Sequence, residues 1–292
     1  FDLKLGPTNK SEICVTDLLS YDKTPGYFGN IELGLPVYNH FHIKIIQDIM
    51  SIICIKCGKI IKRPYEINDY KDINIEEIDN LSKSSLKELH EISIKDFLKI
   101  SAKHRLSKLK KIRKKVKILQ CPKCNSKLPV EIKLQSRPVD VIDAIYVDNN
   151  KKIEKRIFPE YCYSLFKKIN TEECSLMGFD SSNSHPSSLI IHTIPVCPPV
   201  IRPYLQLPNG SYNQDHITLR YEDLMVTNNQ IKGYLKSDCD KLRERYREYL
   251  SHDVATVINN NPGGGFTSMP KGSTQSHITF SQRLEGKTKK DG

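Results

Sequence analysis

The chain has 292 residues, 38% hydrophobic and 27% charged, which excludes a wholly disordered protein and leaves room for about two domains at roughly 150 residues each. Lys and Arg number 45 against 34 Asp and Glu, a formal net charge of +11. That excess favours a polyanionic partner such as nucleic acid, although AT-rich coding, which enriches Ile, Asn and Lys, produces the same bias. No run of about 18 apolar residues occurs, which excludes a membrane-spanning helix.

The opening FDLKLGPTNK has neither a Met nor the charged-then-apolar start of a secretory leader. A piece of a longer chain is expected. Residues 1–36 carry turn signals at Gly6-Pro7, Pro25-Gly26 and Gly34-Leu35-Pro36. Residues 37–53 place Phe41, Ile45, Ile46, Ile49 and Ile53 at helical spacing, which predicts a buried helix. Residues 64–120 read as helical and polar, acidic over 66–91 and basic without any acid over 103–117. The basic run suits either phosphate binding or a solvated helix face. Residues 127–147 alternate around Leu128, Val130, Ile132 and Leu134 and predict strand.

Residues 159–177 predict helix, and LIIHTIPV over 189–196 a short buried strand closed by Pro198-Pro199. Residues 203–216 predict a polar loop, 217–260 two helices, and 261–282 a Gly/Ser/Thr-rich loop before a basic end. There is no Walker A motif, no GxSxG and no HExxH. The histidines and the acidic pairs Glu76-Glu77 and Glu172-Glu173 read as structural or solvated.

The chain has nine cysteines. An odd count without a secretory leader argues against a disulfide framework. Four of them form two C-x-x-C pairs, Cys54/Cys57 and Cys121/Cys124, each followed by a turn residue, Gly58 or Asn125. Such a pair bends the backbone so that two thiolates converge on one metal. Two pairs complete a closed tetrahedral site, which suits one structural Zn²⁺. Unrelated reduced pairs or redox dithiols are the alternatives. The long insertion over 58–120 requires a subdomain between the pairs.

The ordered segments resemble the N-terminal part of the largest subunit of multisubunit, RNA polymerase II-like DNA-directed RNA polymerases. LKLGP resembles the family's D-x-R-L/M-G, and YDKTPGYFGNIELGLPV its C-P-G-H-F-G-H-I-x-L-x-x-P-V. ICIKCGKII matches V-C-x-x-C-x-x-L-L, and YSLFKKINTEECSLMGFD resembles the helix ending in L-G-F. HPSSLIIHTIPVCPPVIRP matches R-P-E-W-M-I-L-x-x-L-P-V-P-P-P-x-V-R-P. HITLRYEDLMVTNNQI, HDVATVINNN and QRLEGKTKKDG follow in the family's order.

The resemblance implies an α+β clamp, with a clamp core over 1–62 and 195–292 and a mainly helical clamp head over 63–194. It implies a lid at about 202–218, a coiled-coil hairpin at about 219–259, a rudder at about 260–279 and the start of a switch segment at 283–292. It implies nucleic-acid contacts by Arg202, Lys271, Arg283, Lys287, Lys289 and Lys290. The implied partners are the DNA template, the RNA–DNA hybrid, the second-largest and other polymerase subunits, and initiation or elongation factors on the coiled coil. Catalytic Mg²⁺ and its aspartates would belong to a region beyond Gly292, leaving no catalytic residue here. Localisation would be nuclear, or virion and host cytoplasm for a large DNA virus.

The sequence also departs from the family pattern. The family's first zinc site has C-x-x-C and C-x-x-H, where this chain has Cys14, Asp17, Thr24 and Tyr27. No zinc is expected there, with packing around Tyr27 and Phe28 holding the turn. Two other readings are a free-standing zinc-containing nucleic-acid-binding transcription protein, and a scaffold whose basic helices meet acidic proteins.

Overall fold

The structure, a computed structural model, describes residues 2–64, 94–115, 118–136, 140–148, 151–206, 208–235, 240–258 and 279–283. In chain order these form β1 (Gly29–Tyr38), α1 (Ile43–Ile52), α2 (Ile94–Lys99), α3 (Ala102–Lys115), β2 (Glu131–Ser136), β3 (Asp140–Asp148), β4 (Lys151–Ile157), α4 (Pro159–Phe166), α5 (Thr171–Met177), β5 (Ile190–Val196), β6 (Leu205–Gln206), β7 (Tyr212–Asn213), α6 (His216–Tyr234) and α7 (Asp240–Ile258). The mixed α/β class matches the expectation. Among the described residues no helix is long and apolar enough to cross a membrane.

The chain divides into two compact units. One comprises Phe1–Val37, Ser136–Val139 and Ile191–Gly292; the other Tyr38–Gln135 and Asp140–Ile190. The first break falls after Val37. The cause is packing: α1 contributes Ile43, Ile46, Ile49, Met50 and Ile52 to the second unit's core.

That core also takes Phe97, Leu109, Ile142, Leu165 and Phe166. The expected strand over 127–147 is two strands, in a sheet of order β2-β3-β4. β3 and β4 are antiparallel, with Ile142 opposite Ile157 and Asp148 opposite Lys151. β4, KKIEKRI, is exposed at all but its last residue. It lacks the apolar alternation that marks a half-buried strand, so periodicity could not reveal it. Charged side chains are ordinary on such an edge, where they oppose pairing with other chains. The expected helix over 159–177 is broken into α4 and α5. Asn170 caps α5, its side chain accepting from Glu173 N at 2.9 Å.

In the first unit β1 pairs with β5. Ile31, Leu35, Val37, Ile194 and Val196 pack with Leu224 and Ile231 of α6 and Leu250 and Val254 of α7. α6 and α7 are 19 residues each. They run antiparallel, since Thr227 donates to Asp253 at 2.7 Å and Tyr234 stacks on Tyr246 at 4.9 Å. Asp215 caps α6 by accepting from Ile217 N at 2.8 Å. The predicted loop over 203–216 contains the short antiparallel pair β6–β7, with Gln206 opposite Tyr212.

Asn228 of α6 is buried and reads the β1 backbone with both ends of its amide. It accepts from Gly34 N at 2.7 Å and donates to Glu32 O at 2.8 Å. Gly34 allows this approach, because a Cβ there would lie 2.8 Å from Lys232 Cγ and 3.0 Å from Ile231 Cγ2. Asn228→Ala leaves the Gly34 N–H unpaired, while Glu32 O keeps a bond from Lys232 Nζ at 3.0 Å, and should cost about 1–3 kcal/mol. Denaturant unfolding measures it; a loss under about 0.5 kcal/mol would mean water replaces the amide.

Candidate metal centre and nucleic-acid interface

The two C-x-x-C segments fold into the same turn. Cys54 N donates to Lys59 O and Gly58 N to Cys54 O, both at 2.8 Å; Cys121 N donates to Ser126 O at 2.9 Å and Asn125 N to Cys121 O at 2.8 Å. Each turn is closed by an isolated β-bridge, Ile53 with Ile60 and Gln120 with Lys127. Gly58 and Asn125 hold the left-handed conformation that reverses the chain, at φ 76° and 52°. Both tolerate it, Gly for want of a Cβ and Asn through its short polar side chain.

The turns face each other within the second unit. The Sγ atoms of Cys54, Cys57, Cys121 and Cys124 all lie within 4.8 Å of one another. Cys54 and Cys124 are 3.6 Å apart, Cys57 and Cys121 3.8 Å. A tetrahedron with Zn–S bonds of about 2.3 Å has S···S edges of about 3.8 Å, so the spacing fits one divalent ion. Ile61 and Leu128 pack around Cys54 and Cys121, keeping one side of the cluster dry. Burial pushes the Cys57 thiol up to about 12 and the Cys121 thiol in the same direction. The hydroxyl and backbone N–H of Ser126 hold Cys124 down at about 6. The Ser126 hydroxyl lies 3.0 Å from Cys124 Sγ and 3.3 Å from Cys54 Sγ. Burying four thiolates together is unfavourable without a cation to offset their charge. With four protein ligands the site is closed to substrate, as in structural zinc centres.

Glu173, which sequence reasoning left on a solvated helix face, is 0% exposed in its side chain. It accepts from Arg63 at 2.8 Å and from Ile60 N, on the return of the first turn, at 3.2 Å. Lys123, inside the second turn, lies 3.9 Å away. The carboxylate thus ties α5 to the first turn and sits beside the second. Nothing local marks it, since its partners lie more than a hundred residues away for Ile60 and Arg63.

The basic candidates separate. Arg202 is 4% exposed. Its guanidinium donates to Cys197 O at 2.9 Å and Thr218 Oγ1 at 3.3 Å, and lies 5.4 Å from the Tyr221 ring centroid. The turn of chain after Pro199 folds this side chain inward onto these partners. Arg283 donates to Ile201 O at 3.0 Å and pairs with Asp215. Lys271, Lys287, Lys289 and Lys290, and the rudder segment except Thr279, lie outside the described residues. In the 103–117 run, Arg105 holds the carbonyls of Ile100 and Ser175 at 2.8 Å and Leu98 at 2.7 Å, and Lys110 pairs with Asp48. Lys103, Lys108, Lys111 and Lys114 are exposed. Lys151 and Lys155 on one face of β4, and Lys152 and Arg156 on the other, are exposed cations that sequence reasoning missed.

Fold and site together define a two-unit α/β protein with a four-cysteine cluster spaced to hold a metal ion and an antiparallel pair of long helices. The family described as RNA polymerase Rpb1, domain 1, matches residues 1–290, and the chain belongs to it. It is 26% identical to "DNA-directed RNA polymerase II subunit RPB1" of Euplotoides octocarinatus, over 98% of this chain and 57% of that protein. It is 27% identical to "DNA-directed RNA polymerase subunit Rpo1N" of Thermococcus celer, over 98% of this chain and 29% of the relative. The "DNA-directed RNA polymerase subunit 1" of Acanthamoeba polyphaga mimivirus is 27% identical over 98% of this chain and 19% of its own length. The chain therefore spans little more than half, or less, of these relatives.

Proposed function

We propose that this chain is the clamp of a DNA-directed RNA polymerase, in the N-terminal region of the largest subunit. The observation that carries the reading is the family match along residues 1–290, collinear with the segments read from the sequence. On this reading the Cys₄ centre is a structural zinc site. The second unit belongs to the clamp head, and the first, with β1, β5 and the paired helices, to the clamp core. The segment around β6–β7 is the lid that separates RNA from template. α6 and α7 are the coiled coil that receives initiation or elongation factors; exposed Leu242, Arg245 and Tyr249 on α7 support that role.

The polymerase reaction is two-metal phosphoryl transfer onto RNA, and its Mg²⁺ ligands belong to another part of the subunit. This chain holds nucleic acid in place. Exposed Lys and Arg contact phosphates without sequence preference, which makes affinity salt-dependent. The other polymerase subunits are its partners. Its location is the nucleus, or the virion and host cytoplasm for a viral enzyme.

Two experiments test the reading. Peptide mass spectrometry of the native complex should find this chain joined to a catalytic region and co-purifying with a second large subunit. A chain isolated with no other polymerase component would refute it. Changing Lys287, Lys289 and Lys290 to Gln in the assembled enzyme should weaken template binding. It should also flatten log K against log salt by about 0.9 for each phosphate no longer neutralised. An unchanged slope would place those side chains in solvent.

A further inference from the structure

The turn of the two cysteine knuckles occurs a third time, in the first unit, at residues 13–20. Cys14 N donates to Leu19 O at 3.0 Å and Leu18 N to Cys14 O at 2.9 Å. An isolated bridge joins Ile13 to Ser20, at the same offset as Ile53 to Ile60 and Gln120 to Lys127. The residue after the fourth position again has positive φ, Leu18 at 59°. Backbone, bridge and chain reversal all agree with the metal-binding turns. The ligand position differs: where they carry Cys57 and Cys124, this one carries Asp17.

We infer that residues 13–27 form a metal-free knuckle in which the Asp17 carboxylate occupies the place of the ion and gathers the surrounding donors. Thr24 Oγ1 donates to Asp17 Oδ2 at 2.7 Å and Leu19 N to Oδ1 at 2.9 Å. The Cys14 thiol and the Tyr27 hydroxyl face the same carboxylate and add smaller stabilising contributions. Thr24 Oγ1 accepts in turn from Gly26 N at 3.2 Å, which carries the network into the next turn. The Thr24 hydroxyl, followed by the other donors, holds the Asp17 carboxyl below its ordinary value. Burial and the facing carboxylate push the Tyr27 hydroxyl up.

The chemistry explains the exchange of one centre for the other. A cation draws anionic ligands inward; a carboxylate draws hydrogen-bond donors inward, and charge-assisted bonds are the stronger kind. A thiol, two hydroxyls and an amide N–H supply donors, whereas Thr and Tyr are poor zinc ligands. Among the described residues, the four-cysteine cluster is the only group of three or more His, Cys, Asp or Glu placed to hold a metal. Leu18 is 77% exposed and sits in a conformation that costs a branched residue energy. The carboxylate bonds on either side hold it there.

The test uses the 292-residue chain with zinc supplied, counted by native mass spectrometry and followed by amide hydrogen exchange. One zinc per chain is expected, both in the unaltered protein and in Asp17→Ala. In that variant the amides of Cys14, Leu18 and Leu19 should exchange about tenfold faster or more, while those of 53–61 and 119–128 keep their protection. A second zinc in the unaltered chain, loss of zinc in Asp17→Ala, or unchanged exchange at 14–19 would each overturn the inference. None of these outcomes bears on the polymerase reading, which native co-purification tests separately.

Discussion

Replacing Cys57 or Cys121 by Ser should bring bound zinc from about one ion per chain to near none after dialysis. The four Sγ atoms within 4.8 Å of one another are the only described cluster able to hold the ion. Removing one thiolate leaves three ligands and an open position. Structural zinc binding contributes on the order of 10 kcal/mol to folding in small metal-dependent domains. Losing a substantial part of it should lower the melting temperature of the second unit by about 10 °C or more, at roughly 2–4 °C per kcal/mol. The two turns, residues 54–61 and 121–128, should become protease-sensitive. Cys162→Ala is the control, since Cys162 lies in the apolar core, where burial pushes its thiol far up. It should weaken packing and keep the zinc. Metal analysis after dialysis decides the matter: unaltered stoichiometry in Cys57→Ser and Cys121→Ser would remove the Cys₄ centre.

Glu173→Ala should cost about 2–3 kcal/mol, since it leaves the buried Ile60 N–H without its carboxylate and takes from Arg63 the shorter of its two ion pairs. The carboxylate is fully buried, bonded to Arg63 at 2.8 Å and Ile60 N at 3.2 Å. Its loss strands the Ile60 N–H beside the first cysteine turn, so zinc affinity should fall as well. Replacing Glu173 by Leu and Arg63 by Met together should recover much of the stability, because paired removal leaves no lone buried charge. A double-mutant cycle by denaturant unfolding measures the coupling. A cost below about 1 kcal/mol for Glu173→Ala would mean that water reaches the site. Glu172, its neighbour, also pairs with Arg63, at 3.3 Å, but is 57% exposed in its side chain. Glu172→Ala should change stability by less than about 1 kcal/mol.

The contrast between Glu172 and Glu173 shows where sequence reasoning stops. Both stand in the first turn of α5, where acids are favoured beside the helix N-terminus. Which one turns inward depends on Ile60 and Arg63, whose positions no local pattern encodes. The basic run over 103–117 behaves alike: its charge was legible, but the division into inward Arg105 and exposed Lys108 was not. Arg202 obeys the same rule. An arginine between prolines reads as a surface cation until the chain folds its guanidinium onto Cys197 O.

By itself the sequence determined what short-range geometry controls. The cysteine spacing specifies turns whose bonds and bridges span only a few residues, so both cysteine turns were legible, as were the paired helices of 216–258 and the family order of segments. Tertiary structure alone decided that the two turns meet, that a charged edge strand lacking apolar alternation joins the sheet as β4, and that α1 packs into the second unit's core. It also decided which acids and arginines are buried. The physical reason is range. Turn and helix propensities act over a few neighbours, whereas burial and ion pairing depend on residues brought together from distant parts of the chain.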